Sequence, residues 1–363
     1  KAAGISPADA NALIKHIKKK HLDDVAAYKE RFIPGFISYL KNEQGTNDEL
    51  AESTAQDVWK VILDSSSYLF NASHAYAMCL DCLYNAYLKR HYPFEYYATL
   101  LKLYTDKGKK EKVALIIAEM KQNKGIVMRT GRFGEDNRDW YIDKENSSIS
   151  QSLSSIKFVS KQAAQELYEA GQMEFETFTD VLRHLQMNTS VNVRQIGVLI
   201  GVRYFEEFGG NAKLYQILEE FHNGKNKLTK TVKSYEKRLM ANRIFECSLE
   251  ESSVPIREQL AFENEMLGLC LTTCSNVPTN LFFVLEVDTQ YGVKAMLYNV
   301  KRGTSGVVRL KKATFAENEF KPGQCIYIKQ GKSEQRCMYK GSKRIPIEGE
   351  FDYWVKQYKI SQD

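Results

Sequence analysis

No apolar run in this 363-residue chain approaches the ~18 consecutive residues that a membrane span requires. The opening Lys1-Ala2-Ala3-Gly4 does not begin a secretory signal either, so the default location is the cytoplasm and no membrane partner is expected. Cysteine is scarce and irregularly placed. Seven residues, an odd number spread through a long chain, argue against a secreted disulfide framework. Cys79-x-x-Cys82 lies within a helical pattern without a second pair at zinc-like spacing, and Cys270 and Cys274 are equally unsupported. All seven are expected to be reduced and mostly buried, and no metal ligands are expected in the chain. Charge of one sign is also in short supply, since a net +6 is too mild to imply a nucleic-acid partner by itself. An initiator Met is missing, which fits a processed form or a piece of something longer.

The residues present describe an ordinary globular protein, with 43% hydrophobic and 26% charged side chains. Its length allows two or three domains. The basic residues cluster as Lys15, Lys18, Lys19 and Lys20, then Lys107, Lys109, Lys110 and Lys112, then Lys225, Lys227, Lys230 and Lys233. Such clusters suit phosphate backbones, although a solvated helix face is the common alternative for any one of them.

Periodicity and punctuation predict a mainly α, multidomain chain followed by a β-rich, oligonucleotide-binding (OB)-like module. Residues 1–125 read as helical. Ser6-Pro7 opens a helix in the cap-and-first-residue arrangement, and helices follow over 22–40, 48–63, 94–104 and 109–121. Between them, Asn71 and Ser73 are good N-caps for an apolar-rich helix carrying Met78, Cys79, Leu83 and Tyr87. Lys89, Arg90 and His91 sit in its last turn, opposing the negative end of the dipole, and Pro93 stops it. Tyr84, Tyr87, Tyr92, Tyr96, Tyr97 and Tyr104 read mostly as packing residues. Residues 126–222 read as a small hairpin, from 126–128 and 140–142, then helices over 161–170, 178–185, 192–200 and 213–221. Residues 223–275 read as a linker with one helix, and 276–363 as the β-module, with a terminal helix over 353–358.

The run Phe70-Asn71-Ala72-Ser73-His74-Ala75, followed by Tyr87-Leu88-Lys89-Arg90-His91-Tyr92-Pro93, carries the most information. A helix N-terminus bearing Ser and His is a good place to meet phosphate. The order resembles F-N-K-S-H-A…Y-L-K-x-H-Y-P in the fingers of the bacterial replicative DNA polymerase III alpha subunit, a C-family polymerase. Further segments follow in family order. The Ala10–Lys20 stretch resembles A-D-x-L-R-R-A-M-G-K-K-K, with Ile14 in place of the first Arg. Residues 154–160 stand where the family has G-A-I-K-G-V-G, a helix-hairpin-helix, with Phe158 and Ser160 at two glycine positions. Residues 263–272 resemble E-x-E-x-L-G-x-Y-L-T, which precedes an OB domain.

The resemblance implies a fingers core at 1–125, outer fingers with the hairpin and helix-hairpin-helix-like element at 126–222, a linker with a degenerate clamp-binding region at 223–275, and an OB-like module at 276–363. It implies binding of an incoming deoxynucleoside triphosphate by Lys15, Lys19, Lys20, Asn71, Ser73 and His74. Template–primer DNA would be held by Lys89, Arg90, Lys157 and Lys161. Phe282, Phe283, Tyr291, Tyr298 and Tyr327 are available for stacking on single-stranded template, although several of them must be core. Two Mg²⁺ ions would be bound by the aspartates of a palm, for which neither Asp23-Asp24 nor Glu286-x-Asp288 is suitably placed; both pairs read as surface charge. The palm would come from an N-terminal segment or a separate polymerase chain, so these residues alone are expected to be inactive. A sliding clamp and other replisome proteins are the further implied partners, in a bacterial or phage-infected cell. The alternative is a non-catalytic DNA-binding or replisome-scaffold protein derived from the same fold.

Overall fold

The computed structural model describes residues 2–19, 21–67, 72–229, 233–340 and 343–361. They divide into two units, Lys1–Tyr87 and Leu88–Asp363. In the first, α1 (Pro7–Lys19) starts as the Ser6-Pro7 pair dictates, with the Asp9 amide donating to Ser6 Oγ at 3.1 Å. Leu13 and Ile17, one turn apart, pack with Val25 of α2 (Leu22–Ala27). The single helix expected over 22–40 is two, α2 and α3 (Lys29–Gln44), because the chain breaks at Tyr28, whose ring lies against that same cluster. Gly35 permits a close approach: a Cβ there would collide with the carbonyl oxygen of Ala3. Gly45, at φ 65°, ends α3, and α4 (Asp48–Ser67) buries Ala51, Ala55 and Trp59 along one stripe.

Helix α5 (Ala72–His91) carries the chain from the first unit into the second. Its apolar residues were expected to pack, yet Met78, Leu83, Tyr84 and Tyr87 are all more than half exposed. Tyr92 is exposed as well, whereas Tyr97 is fully buried and Tyr96 and Tyr104 lie against its cluster. The cysteine expectation also needs correction. Cys79, Cys82 and Cys247 are exposed and only Cys270 and Cys325 are buried, since helical periodicity says which face a residue shares but not whether that face is covered.

In the second unit, α6 (Pro93–Asp106) begins at Pro93, and α7 (Lys110–Lys124) ends at Gly125 in the left-handed conformation. Next comes a three-stranded sheet in place of the expected hairpin. β1 (Val127–Arg129) and β2 (Tyr141–Asp143) do not pair with each other. Both pair with β3 (Ser148–Ser150), β1 in parallel and β2 antiparallel. Ile149 is fully buried opposite Met128 and Ile142, and Arg129 ties the layers by donating to Ser148, Glu135 and Asp143.

Helices α8 (Lys161–Ala170), α9 (Phe178–Asn188), α10 (Val193–Gly201), α11 (Asn211–Asn223), α12 (Tyr235–Ser248) and α13 (Ile256–Met266) follow. Ser160, Thr177 and Asn192 cap α8, α9 and α10 through their side chains, and Asn192 completes a capping box with Gln195. The 223–275 stretch, expected to carry one helix, carries two, α12 and α13. The buried Glu246 of α12 accepts from the Phe178 and Thr179 amides at 2.8 Å each, which supplies a carboxylate to the N-terminus of α9.

The β-module is present as a closed barrel of β4 (Leu281–Asp288), β5 (Val293–Asn299), β6 (Thr304–Leu310), β7 (Cys325–Lys340) and β8 (Lys343–Ile360), in the order β4-β5-β6-β8-β7. β6 and β8 run parallel and the other pairs antiparallel. The short helix α14 (Lys312–Ala316), between β6 and β7, inserts Phe315 beside Phe320 into the barrel core. This is the expected OB-like architecture. The terminal helix expected over 353–358 is instead strand β8, whose backbone is claimed by β6 on one side and β7 on the other.

Candidate nucleic-acid interface

On α1, Lys15 and Lys19 are one turn apart and exposed on the face opposite the buried Leu13 and Ile17. Lys18 is exposed beside them, and Ile14 is 45% exposed. Lys20 and Asn71 lie outside the described residues. Because α5 starts at Ala72, Ser73 and His74 belong to its first turn; both are exposed.

In the second unit, Lys89 is ion-paired with Glu119, which also accepts the Tyr97 hydroxyl at 3.2 Å. Burial, and then the Glu119 charge, pushes the Tyr97 phenol up to about 12. Lys89 therefore braces α5 against α7, while its neighbour Arg90 is exposed. A 3₁₀ turn over Leu153–Ser155 leads through Ile156 and Val159, both buried, to the Ser160 cap. Phe158 has φ 70°, a left-handed conformation that glycine adopts freely and that a bulky side chain adopts at a cost of about 1–2 kcal/mol. Three contacts hold it: Arg194 sits 3.7 Å over its ring, Gln195 Nε2 donates to its carbonyl at 3.1 Å, and the preceding Lys157 amide donates to Met266 O at 3.1 Å. The Lys157 side chain is exposed.

Lys161, the first residue of α8, lines a polar cleft with Lys102, Asp106, Arg138, Asp139 and Ser154. Two of its cations are neutralised locally: Lys102 donates to Asp139 at 2.7 Å and Arg138 to Asp136 at 2.7 Å. The Lys102 hydrogen bond holds the Asp139 carboxyl below its usual range.

On the barrel, Phe283 and Tyr298 are core, and Tyr298 donates to Thr272 O at 2.9 Å. Phe282 and Tyr327 are partly buried, which leaves Tyr291, 91% exposed in the β4–β5 turn, as the one nominated aromatic presented to solvent. The sequence reading missed Phe351 and Tyr353, exposed on β8. Their alternate spacing was the available signal, hidden by the helical assignment.

No family model matches the chain. Its sequence is 28% identical over 276 residues to a protein of Campylobacter jejuni, covering 73% of this chain and 22% of that protein. It is 28% identical over 279 residues to one of Halalkalibacterium halodurans, covering 75% and 23%, and 29% identical over 277 residues to one of Aquifex aeolicus, covering 74% and 21%. All three are DNA polymerase III alpha subunits. The chain is similar in sequence to that subunit. It spans about a fifth of the length of these alpha subunits, so the similarity concerns one segment of them.

Proposed function

We propose that this chain is the fingers-to-OB portion of a replicative DNA polymerase, working in the cytoplasm of a bacterial or phage-infected cell. The observation that carries this reading is the similarity to alpha subunits over about three quarters of the chain, in combination with the C-terminal OB-like barrel. Lys15 and Lys19 would meet the triphosphate of an incoming deoxynucleotide, together with Lys20, Asn71, Ser73 and His74. Cations aimed at phosphoryl oxygens stabilise charge as it develops during transfer. Arg90, Lys157 and Lys161 would hold the template–primer backbone, with Lys89 bracing the helix that presents Arg90. Tyr291 and the exposed aromatics of β8 suit stacking on single-stranded template, which is sequence-tolerant.

Two Mg²⁺ ions would activate the primer 3′-oxygen and stabilise the leaving pyrophosphate. The Asp23-Asp24 and Glu286-x-Asp288 pairs do not suit that site. Asp24 Oδ2 is shared by two histidines, Glu286 is paired with Lys110, and Asp288 accepts from the Gln290 amide. The metal-binding palm is therefore assigned to a polypeptide segment beyond these residues, with a sliding clamp and other replisome proteins as further partners.

Primer extension tests the reading. The chain together with its palm segment should extend a primed template with Mg²⁺ and deoxynucleotides, and a Lys15→Ala/Lys19→Ala variant should lose activity through a raised KM for the nucleotide. DNA binding without extension would favour the replisome scaffold, and salt-independent or absent DNA binding would overturn both.

A further inference from the structure

His16, His21 and Asp24 come from the last turn of α1, the residue preceding α2, and the first turn of α2. In the sequence they are separate residues, and Asp24 reads as surface charge. Folding brings one donor atom of each within 4.8 Å of the others. His16 Nδ1 lies 2.9 Å and His21 Nδ1 3.3 Å from the same oxygen, Asp24 Oδ2. For ligands at 2.0–2.1 Å from a tetrahedral ion, the ligand–ligand edge is about 3.3 Å. The His21–Asp24 separation matches such an edge, the His16–Asp24 one is shorter, and the two imidazole nitrogens lie within 4.8 Å of each other, so small side-chain shifts would set all three donors around one ion.

The corner that holds them is braced. The His21 amide donates to His16 O at 3.0 Å, closing the turn, and the Val25 amide donates to His21 O at 3.1 Å, starting α2. Val25 is fully buried against Leu13 and Ile17, so α2 is anchored to α1 one residue from Asp24. The His16 ring is half-buried, 6.3 Å from the ring of Tyr28. Asp24 and His21 face solvent, which leaves the fourth corner open to water.

We propose that His16, His21 and Asp24 form a Zn²⁺-class metal site with a fourth position for water, tying α1 to α2. Two imidazole nitrogens and a single carboxylate suit first-row divalent ions such as Zn²⁺, Co²⁺ or Fe²⁺, whereas Mg²⁺ and Ca²⁺ prefer oxygen ligands. The site does not rest on the polymerase reading.

The test uses the tag-free chain, stripped with chelator and titrated with Co²⁺ and then Zn²⁺. One Co²⁺ per chain should bind with the intense visible bands of tetrahedral coordination, and Zn²⁺ should displace it. Asp24→Asn and His16→Gln should each weaken Co²⁺ binding at least tenfold, while His91→Gln leaves it unchanged. If circular dichroism shows His16→Gln to be misfolded, the exposed His21→Gln decides. A Co²⁺ spectrum that remains that of the octahedral aqua ion, or equal binding by wild type and the Asp24 variant, overturns the site.

Discussion

The two units bury their apolar residues very differently. In Lys1–Tyr87 the buried cluster is Leu13, Ile17 and Val25, with the Ala51–Ala55–Trp59 stripe nearby, and no residue of α3 is buried. Phe32, Phe36 and Tyr39 stack along α3 instead, with successive centroids 5.5 and 6.2 Å apart. In Leu88–Asp363 one cluster runs continuously from Phe133 to Leu267, and further cores fill the barrel and the α6–α7 layer. Helix-forming signals are equally clear in both units. Local propensity therefore says little about how well a segment is buried, and most helical stability comes from the surface a helix covers.

The largest expected effect follows from that contrast. Phe221 is fully buried in the long cluster, so Phe221→Ala should lower the stability of the second unit by about 3–5 kcal/mol. The transition of the first unit should stay in place, and residue-resolved hydrogen exchange under denaturant would separate the two. A single transition that moves as a whole would break the comparison.

Removing the charge that α12 lends to α9 should come next. Glu246→Gln retains one acceptor for two amides and should cost about 1–3 kcal/mol, read from urea midpoints of the same unit. An unchanged midpoint would mean that α12 is a passive connection.

The second unit should also be acid-sensitive. Burial holds His222 below its ordinary value near 6.5, and burial with the nearby Arg183 charge does the same for His184. The folded form therefore resists protons that the unfolded chain accepts, and stability should fall as pH drops below about 6.5. In the first unit, Asp9 is held low mainly by the Arg31 hydrogen bond, so its contribution is lost only as pH falls below its ordinary 3.8. Thermal unfolding at pH 7.5 and 5.5 checks this sign; second-unit stability that rose on acidification would contradict it. The smallest effect is expected at Phe158. Phe158→Gly relieves the left-handed backbone but loses the Arg194 contact, so stability should change by no more than about 1 kcal/mol, whereas the β-branched Phe158→Val should cost more.

Much of the fold is legible because its signals are local. Ser6-Pro7, Pro93, Gly125, Ser160 and Asn192 each place a helix end within a residue or two, since capping and fixed φ act over one turn. β3 and β8 are not legible in this way. Ser148–Ser150 is a three-residue segment with one apolar residue, Ile149, made into a central strand by two partners, and the 343–360 stretch is a strand because β6 and β7 claim its backbone groups. The same limit applies to the sites. Motif order points to the basic residues of α1 and to the turn before α8, while Lys89 reads as a free cation until Glu119 is brought to it.

By itself the sequence determined the helical identity of most of the chain, the β character of its C-terminal module and the order of motifs shared with polymerase alpha subunits. These depend on residue type and spacing alone. Only the tertiary structure decided which apolar faces are covered, which charges are paired, and that His16, His21 and Asp24 share one corner. Burial and close electrostatic contact are properties of distance in space, and a helical period or a motif specifies position only along the chain and around its own axis.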